Sequence, residues 1–112
     1  MAKIEAQLKG NFDVILDTIH KAVMNNSSSA SFEDSSYFLI ENCRCSVRAY
    51  ERYSYMGKGR VSMNVTLIEN NGVIYVSAIT TGGSQAMFFK LNTFGEESFL
   101  ETVRNAIDTF RI

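Results

Sequence analysis

Asn71-Gly72 constrains this chain more than any other pair of residues. A two-residue type I′ turn needs positive φ at both central positions, and Asn-Gly meets that demand at little cost. With those two residues as the turn, Asn70 faces Val73 and the pairing runs outward. Leu67 then meets Val76, Val65 meets Ala78, and Met63 meets Thr80 on one face. Ile68 meets Tyr75, Thr66 meets Ser77, and Asn64 meets Ile79 on the other. The first face is mostly apolar and the second mixed, so register and burial agree.

Gly57-Lys58-Gly59 reads as the preceding turn, a three-residue loop with Gly59 in the left-handed region. It pairs Tyr55 with Val61, Tyr53 with Met63, Glu51 with Val65 and Ala49 with Leu67. Cys43 to Gly83 thereby becomes a three-stranded antiparallel meander. On its first strand Cys43, Cys45, Val47 and Ala49 point inward, while Arg44, Ser46, Arg48, Tyr50 and Arg52 point outward. Glu51 breaks the pattern, as an inward carboxylate that is costly to bury unpaired.

Lys3 to Lys9 alternates, with Ile4, Ala6 and Leu8 on one side, which predicts a half-buried first strand ended by Gly10. Asn11 is a good N-cap for a helix from Phe12 to about Met24. Its apolar stripe is Phe12, Ile15, Leu16, Ile19, Ala22 and Val23. Asp17 and Lys21 form an i, i+4 pair in the favourable order. His20, the single histidine, flanks the stripe with no catalytic partner tied to it by spacing, and reads as a surface or boundary residue. Residues 29–33 predict a short second strand and Glu33-Asp34-Ser35-Ser36 a turn. Tyr37 to Ile40 either extends that strand after a bulge or starts the next. After the meander, Ala86 to Leu91 reads as a short extended crossing. Thr93-Phe94-Gly95-Glu96 fits a capping box for a last helix whose stripe is Phe99, Leu100, Val103, Ala106, Ile107 and Phe110.

The expected fold is therefore a single α+β domain over residues 1–112. It has two layers, an antiparallel sheet of about five strands with two helices on one face, in the order β-α-β-β-β-β-α. The other sheet face is left uncovered. This order resembles the TATA-binding-protein-like and helix-grip folds, a likeness of topology that carries no function. The chain has 112 residues, 11 Lys and Arg against 12 Asp and Glu, and a net charge of −1. That balance makes nucleic acid an unlikely partner and gives no attraction to membranes. The first ten residues are polar and charged, without a leader's apolar run, and no stretch approaches a membrane span, so the expected location is cytoplasmic. Cys43 and Cys45 would lie roughly 6.6 Å apart along a strand, too far for an easy disulfide, and read as two reduced core thiols. No spacing calls for a metal or any other cofactor.

Several segments also resemble a known family: Glu51-Arg52-Tyr53-Ser54-Tyr55, Val61 to Leu67, Ser77 to Lys90, and Asn92-Thr93-Phe94-Gly95-Glu96-Glu97. They are similar to a family of small, uncharacterised bacterial proteins catalogued as a domain of unknown function. The likeness spans essentially the whole chain and implies a bacterial, single-domain, cytoplasmic protein. It implies no catalytic residue, cofactor or activity.

Three constellations could carry chemistry. The outward face combines Arg44, Arg48 and Arg52 with Tyr50, Asn64 and Tyr75. It reads as a solvated face, as a homodimer interface seeded by Tyr50, Ile68, Tyr75 and Ile79, or as a site for an anionic or planar ligand. The loop Gly82-Gly83-Ser84-Gln85 could offer backbone N–H groups to an anion, but it lacks the phosphate loop's ending and reads better as a connector. Glu51 could serve as a general base in a pocket between sheet and helices. A β-bulge near it, or a place at the core's edge, would remove that role. The leading reading is a non-enzymatic binding or self-association module using the open face. The alternative is a small-molecule enzyme or ligand-binding protein with its pocket near Glu51.

Overall fold

Alternation decides the first strand, and the computed structural model bears it out. The structure describes residues 1–54, 59–82 and 89–112. Strand β1, Ala2–Leu8, buries Ala2, Ile4, Ala6 and Leu8 and exposes the residues between them. Helix α1 spans Phe12–Asn26, and Asn11 caps it by accepting the Val14 N–H at 3.0 Å. Then come β2 (Ser31–Ile40), β3 (Cys43–Ser54), β4 (Gly59–Asn70), β5 (Val73–Gly82) and α2 (Phe89–Phe110). The five strands form one antiparallel sheet in the order β1-β5-β4-β3-β2, the α+β arrangement expected.

Both helices lie on one face of the sheet. Phe12, Ile15, Ile19 and Val23 of α1 and Phe99, Leu100, Val103 and Ile107 of α2 are buried against Met63, Val65, Leu67, Val76 and Ala78. Full burial of each such side chain is worth about 1.5–3 kcal/mol, so this layer supplies most of the driving force. The Asn71-Gly72 turn has φ of 52° and 83°, and the β4–β5 register is the one its chemistry predicts, from Asn70 opposite Val73 to Met63 opposite Thr80.

The β3–β4 register differs from expectation. Ser54 faces Gly59, so the connection is residues 55–58, four residues in place of the predicted Gly57-Lys58-Gly59 loop. Tyr55 to Lys58 lie outside the described residues. Glu51 consequently faces Ser62 instead of Val65, and Tyr50 faces Met63. This is a slip of three residues. An odd slip moves every side chain of a strand to the opposite face. Arg44, Ser46, Arg48, Tyr50 and Arg52 therefore share the helix side with Met63, Val65 and Leu67. Cys43, Cys45, Val47, Ala49 and Glu51 share the open side with Asn64 and Ile68.

Two further expectations are corrected. Glu33-Asp34-Ser35-Ser36 is strand, since β2 runs on to Ile40 with only a bulge between Phe32 and Asp34. Helix α2 starts at Phe89, so Thr93-Phe94-Gly95-Glu96 lies inside it and not at its start. Its apolar stripe is as read, with Phe110 partly buried.

The two sheet edges are treated differently. The chain's last residues meet β1: the Lys9 N–H donates to the Phe110 carbonyl at 2.8 Å and the Ile112 N–H to the Gln7 carbonyl at 3.1 Å. Among the described residues strand β2 has β3 on one side only, and nine of its ten residues are exposed.

Candidate interaction face

The proposed face of arginines and tyrosines is split between the two sides of the sheet. Arg44, Arg48, Tyr50 and Arg52 do lie together, as their spacing predicts, but beneath the helices. Asn64 and Tyr75 lie on the open side. The helix side tolerates three arginines because each buries its stem and lays its guanidinium over a ring. Arg44 sits 4.2 Å above the Phe12 ring centroid, Arg48 5.5 Å from Phe32, and Arg52 4.9 Å from Phe99. Arg44 also grips both Asp13 carboxylate oxygens, at 2.8 and 3.3 Å, and donates to the Tyr37 hydroxyl at 2.8 Å. That grip holds Asp13 below the ordinary carboxylate range. Burial pulls Arg52 down from its usual value. These side chains tie α1, α2 and β2 to β3, which is a packing role.

Tyr50 is 1% exposed and is the largest fully buried side chain among the described residues. Its hydroxyl is 2.8 Å from His20 Nδ1, and Phe32 packs on both rings, with centroids 5.3 and 5.5 Å away. Burial pushes the Tyr50 phenol up, partly offset by the neighbouring Arg48 guanidinium. Burial also pushes the His20 imidazole down. The Arg48 charge adds to that fall, and Asp17 opposes it. The sequence placed Tyr50 on the candidate binding face and His20 at the surface or boundary, and it did not pair the two. The signal that links them is the outward flank position of His20 facing a tyrosine, and it becomes readable only with the correct β3 register.

Glu51 loses its anomaly. It stands on the open side, about one-third exposed, with Oε1 2.9 Å from Arg60 Nε. It is neither inward nor displaced by a β3 bulge, so a pocket built on it as a base falls away. Gly82 ends β5, whereas Gly83, Ser84 and Gln85 lie outside the described residues. Among the described residues no group of three or more His, Cys, Asp or Glu side chains comes together. No described helix is long and apolar enough to cross a membrane.

What the register places on the open side is apolar. One row of facing residues crosses four strands as Phe38, Cys45, Ile68 and Tyr75. The next row carries Ile40, Cys43, Asn70 and Val73. Phe38, Ile40, Ile68, Val73 and Tyr75 are all exposed. Ile68, Val73 and Tyr75 line a shallow hollow with Asn70 and Asn71. Cys43 and Cys45 are free and half-buried in the middle of this stripe, outside the core to which the sequence reading assigned them. Ser62, Asn64, Thr66 and Ser77 make the other end of the face more polar.

Compared with known proteins, residues 1–111 match the model of one family whose function is unknown. No curated protein matches the chain.

Proposed function

The chain belongs to that family of unknown function (DUF6054), and on this premise we propose that it is a non-catalytic self-association module working through its open sheet face. The observation that supports this reading is the stripe of Phe38, Ile40, Ile68, Val73 and Tyr75 on the face the helices leave bare. Contiguous exposed apolar patches beyond a few hundred Å² are uncommon on monomers and mark contact sites. A second copy packed face to face about a two-fold axis would bury the stripe against itself, the isologous contact that closed dimers use. Tyr75 suits the centre of such a contact, since its ring is large and rigid and its hydroxyl already has a partner, Gln7 Oε1 at 3.3 Å. A cytoplasmic location fits a protein with two free thiols.

Size-exclusion chromatography with light scattering tests the proposal. The wild-type chain should elute at a multiple of 12.6 kDa. Tyr75→Arg, which places a charge in the stripe without touching the core, should lower that mass. A wild-type mass of one chain at every concentration would overturn the reading.

A further inference from the structure

We propose that β2 pairs edge to edge with β2 of a second copy, joining two sheets into one. This contact is separate from the face-to-face one and concerns the strand's free edge. Every second residue of an edge strand turns its N–H and C=O away from its only neighbour, and such a row of unpaired groups is a template for another strand. Folds usually blunt their edges with charge, proline or cover. Strand β1 shows charge and cover: Lys3 and Glu5 along it, and the chain's last residues against its end. Strand β2 shows neither between Ser35 and Ile40, a run of Ser-Ser-Tyr-Phe-Leu-Ile without a charge or a proline.

The partner is a second copy because the strand can pair antiparallel with itself without setting like charges opposite each other. A two-fold pair must set one residue opposite its own image. With Phe38 at the centre, Tyr37 faces Leu39, Ser36 faces Ile40 and Ser35 faces Glu41, and no two carboxylates meet. In the Phe38-centred register Asp34 lies level with Asn42, and the bulge between Phe32 and Asp34 interrupts the ladder beyond it.

The area is sufficient. Tyr37, Phe38, Leu39 and Ile40 are 51, 56, 62 and 71% exposed. Side chains of this size leave roughly 400 Å² of apolar surface per copy. For two copies that is roughly 800 Å², close to the lower bound for a specific contact, and main-chain hydrogen bonds add to it. Joining the edges would also make the two open-face stripes continuous, since Phe38 and Ile40 stand at the seam.

Light scattering on Tyr75→Arg, and on Tyr75→Arg combined with Leu39→Lys, separates the two contacts. With the face disabled, Tyr75→Arg should still run as two chains. Adding Leu39→Lys should halve the mass, and β2 amides that exchange slowly in the first protein should exchange fast in the second. Circular dichroism should be unchanged, because Leu39 is mostly exposed. A single-chain mass for Tyr75→Arg would overturn the edge contact. So would an unaltered mass and β2 exchange on adding Leu39→Lys. The same mass for wild type and Tyr75→Arg would instead sink the face contact and leave the edge standing.

Discussion

The Tyr50 hydroxyl and His20 Nδ1, 2.8 Å apart, join β3 to α1 across the boundary between sheet and helices. Tyr50 is buried, so its hydroxyl depends on this partner. Tyr50→Phe removes the bond and strands the imidazole nitrogen, at a cost of about 1 kcal/mol. A urea-unfolding midpoint reads that loss, and an unchanged midpoint would show the bond to be idle.

His20 also makes stability depend on pH. Its folded-state value is held below the ordinary 6.5. The unfolded chain therefore binds this proton more readily than the fold does, and stability rises with pH through that window. The contribution is fully present above about 6.5 and is lost as pH falls through the lower folded-state value. His20→Gln, which cannot titrate, should lose less stability than wild type between about pH 7 and pH 5. Parallel urea midpoints of the two proteins across that range check it.

The orientation of β3 is testable with lysine. Ser46 is 3% exposed beneath the helices, so Ser46→Lys must bury or extrude a charge and should cost about 3 kcal/mol or more. Ala49 is on the open side, and Ala49→Lys should stay within about 1 kcal/mol. The opposite ranking in thermal unfolding would restore the inverted register.

Gly72 carries the positive φ of 83° that the β4–β5 turn requires, with open space where a Cβ would stand. Gly72→Ala therefore strains only the backbone, by about 1–2 kcal/mol. Gly72→Asn should recover part of that loss in the same unfolding measurement, since asparagine tolerates this region.

Cys43 and Cys45 report on the open face directly. Both should alkylate in the native dilute protein. The rate should fall as concentration rises if the face is covered by a second copy, and Tyr75→Arg should abolish that fall. A rate independent of concentration would argue against face-to-face packing.

Much of the fold was legible because it rests on short-range chemistry. Asn71-Gly72 determined one hairpin to the residue, Asn11 its helix start, and the stripes of Phe12–Val23 and Phe99–Phe110 the two packing faces. The β3 orientation was misread for a physical reason. Cys43, Cys45, Val47 and Ala49 look more buried than Arg44, Ser46, Arg48, Tyr50 and Arg52 when each residue is judged alone. An arginine stem laid against an aromatic ring is itself good packing, but the ring comes from α1, α2 or β2. The inward Glu51 was the visible warning that the strand should be turned over.

The amino-acid sequence by itself determined the order of the elements, most of their bounds, and the β4–β5 register that sorts Met63 to Ala78 into core and surface. These follow from local turn geometry and side-chain periodicity. Only the tertiary structure decided which face of β3 meets the helices, and with it that the free face carries Phe38, Ile68 and Tyr75 while the arginines are packed away. It also decided that β1 has its edge met by the chain's end and β2 does not. Those outcomes depend on a four-residue connection and on contacts between residues far apart in the chain, where no local preference reaches.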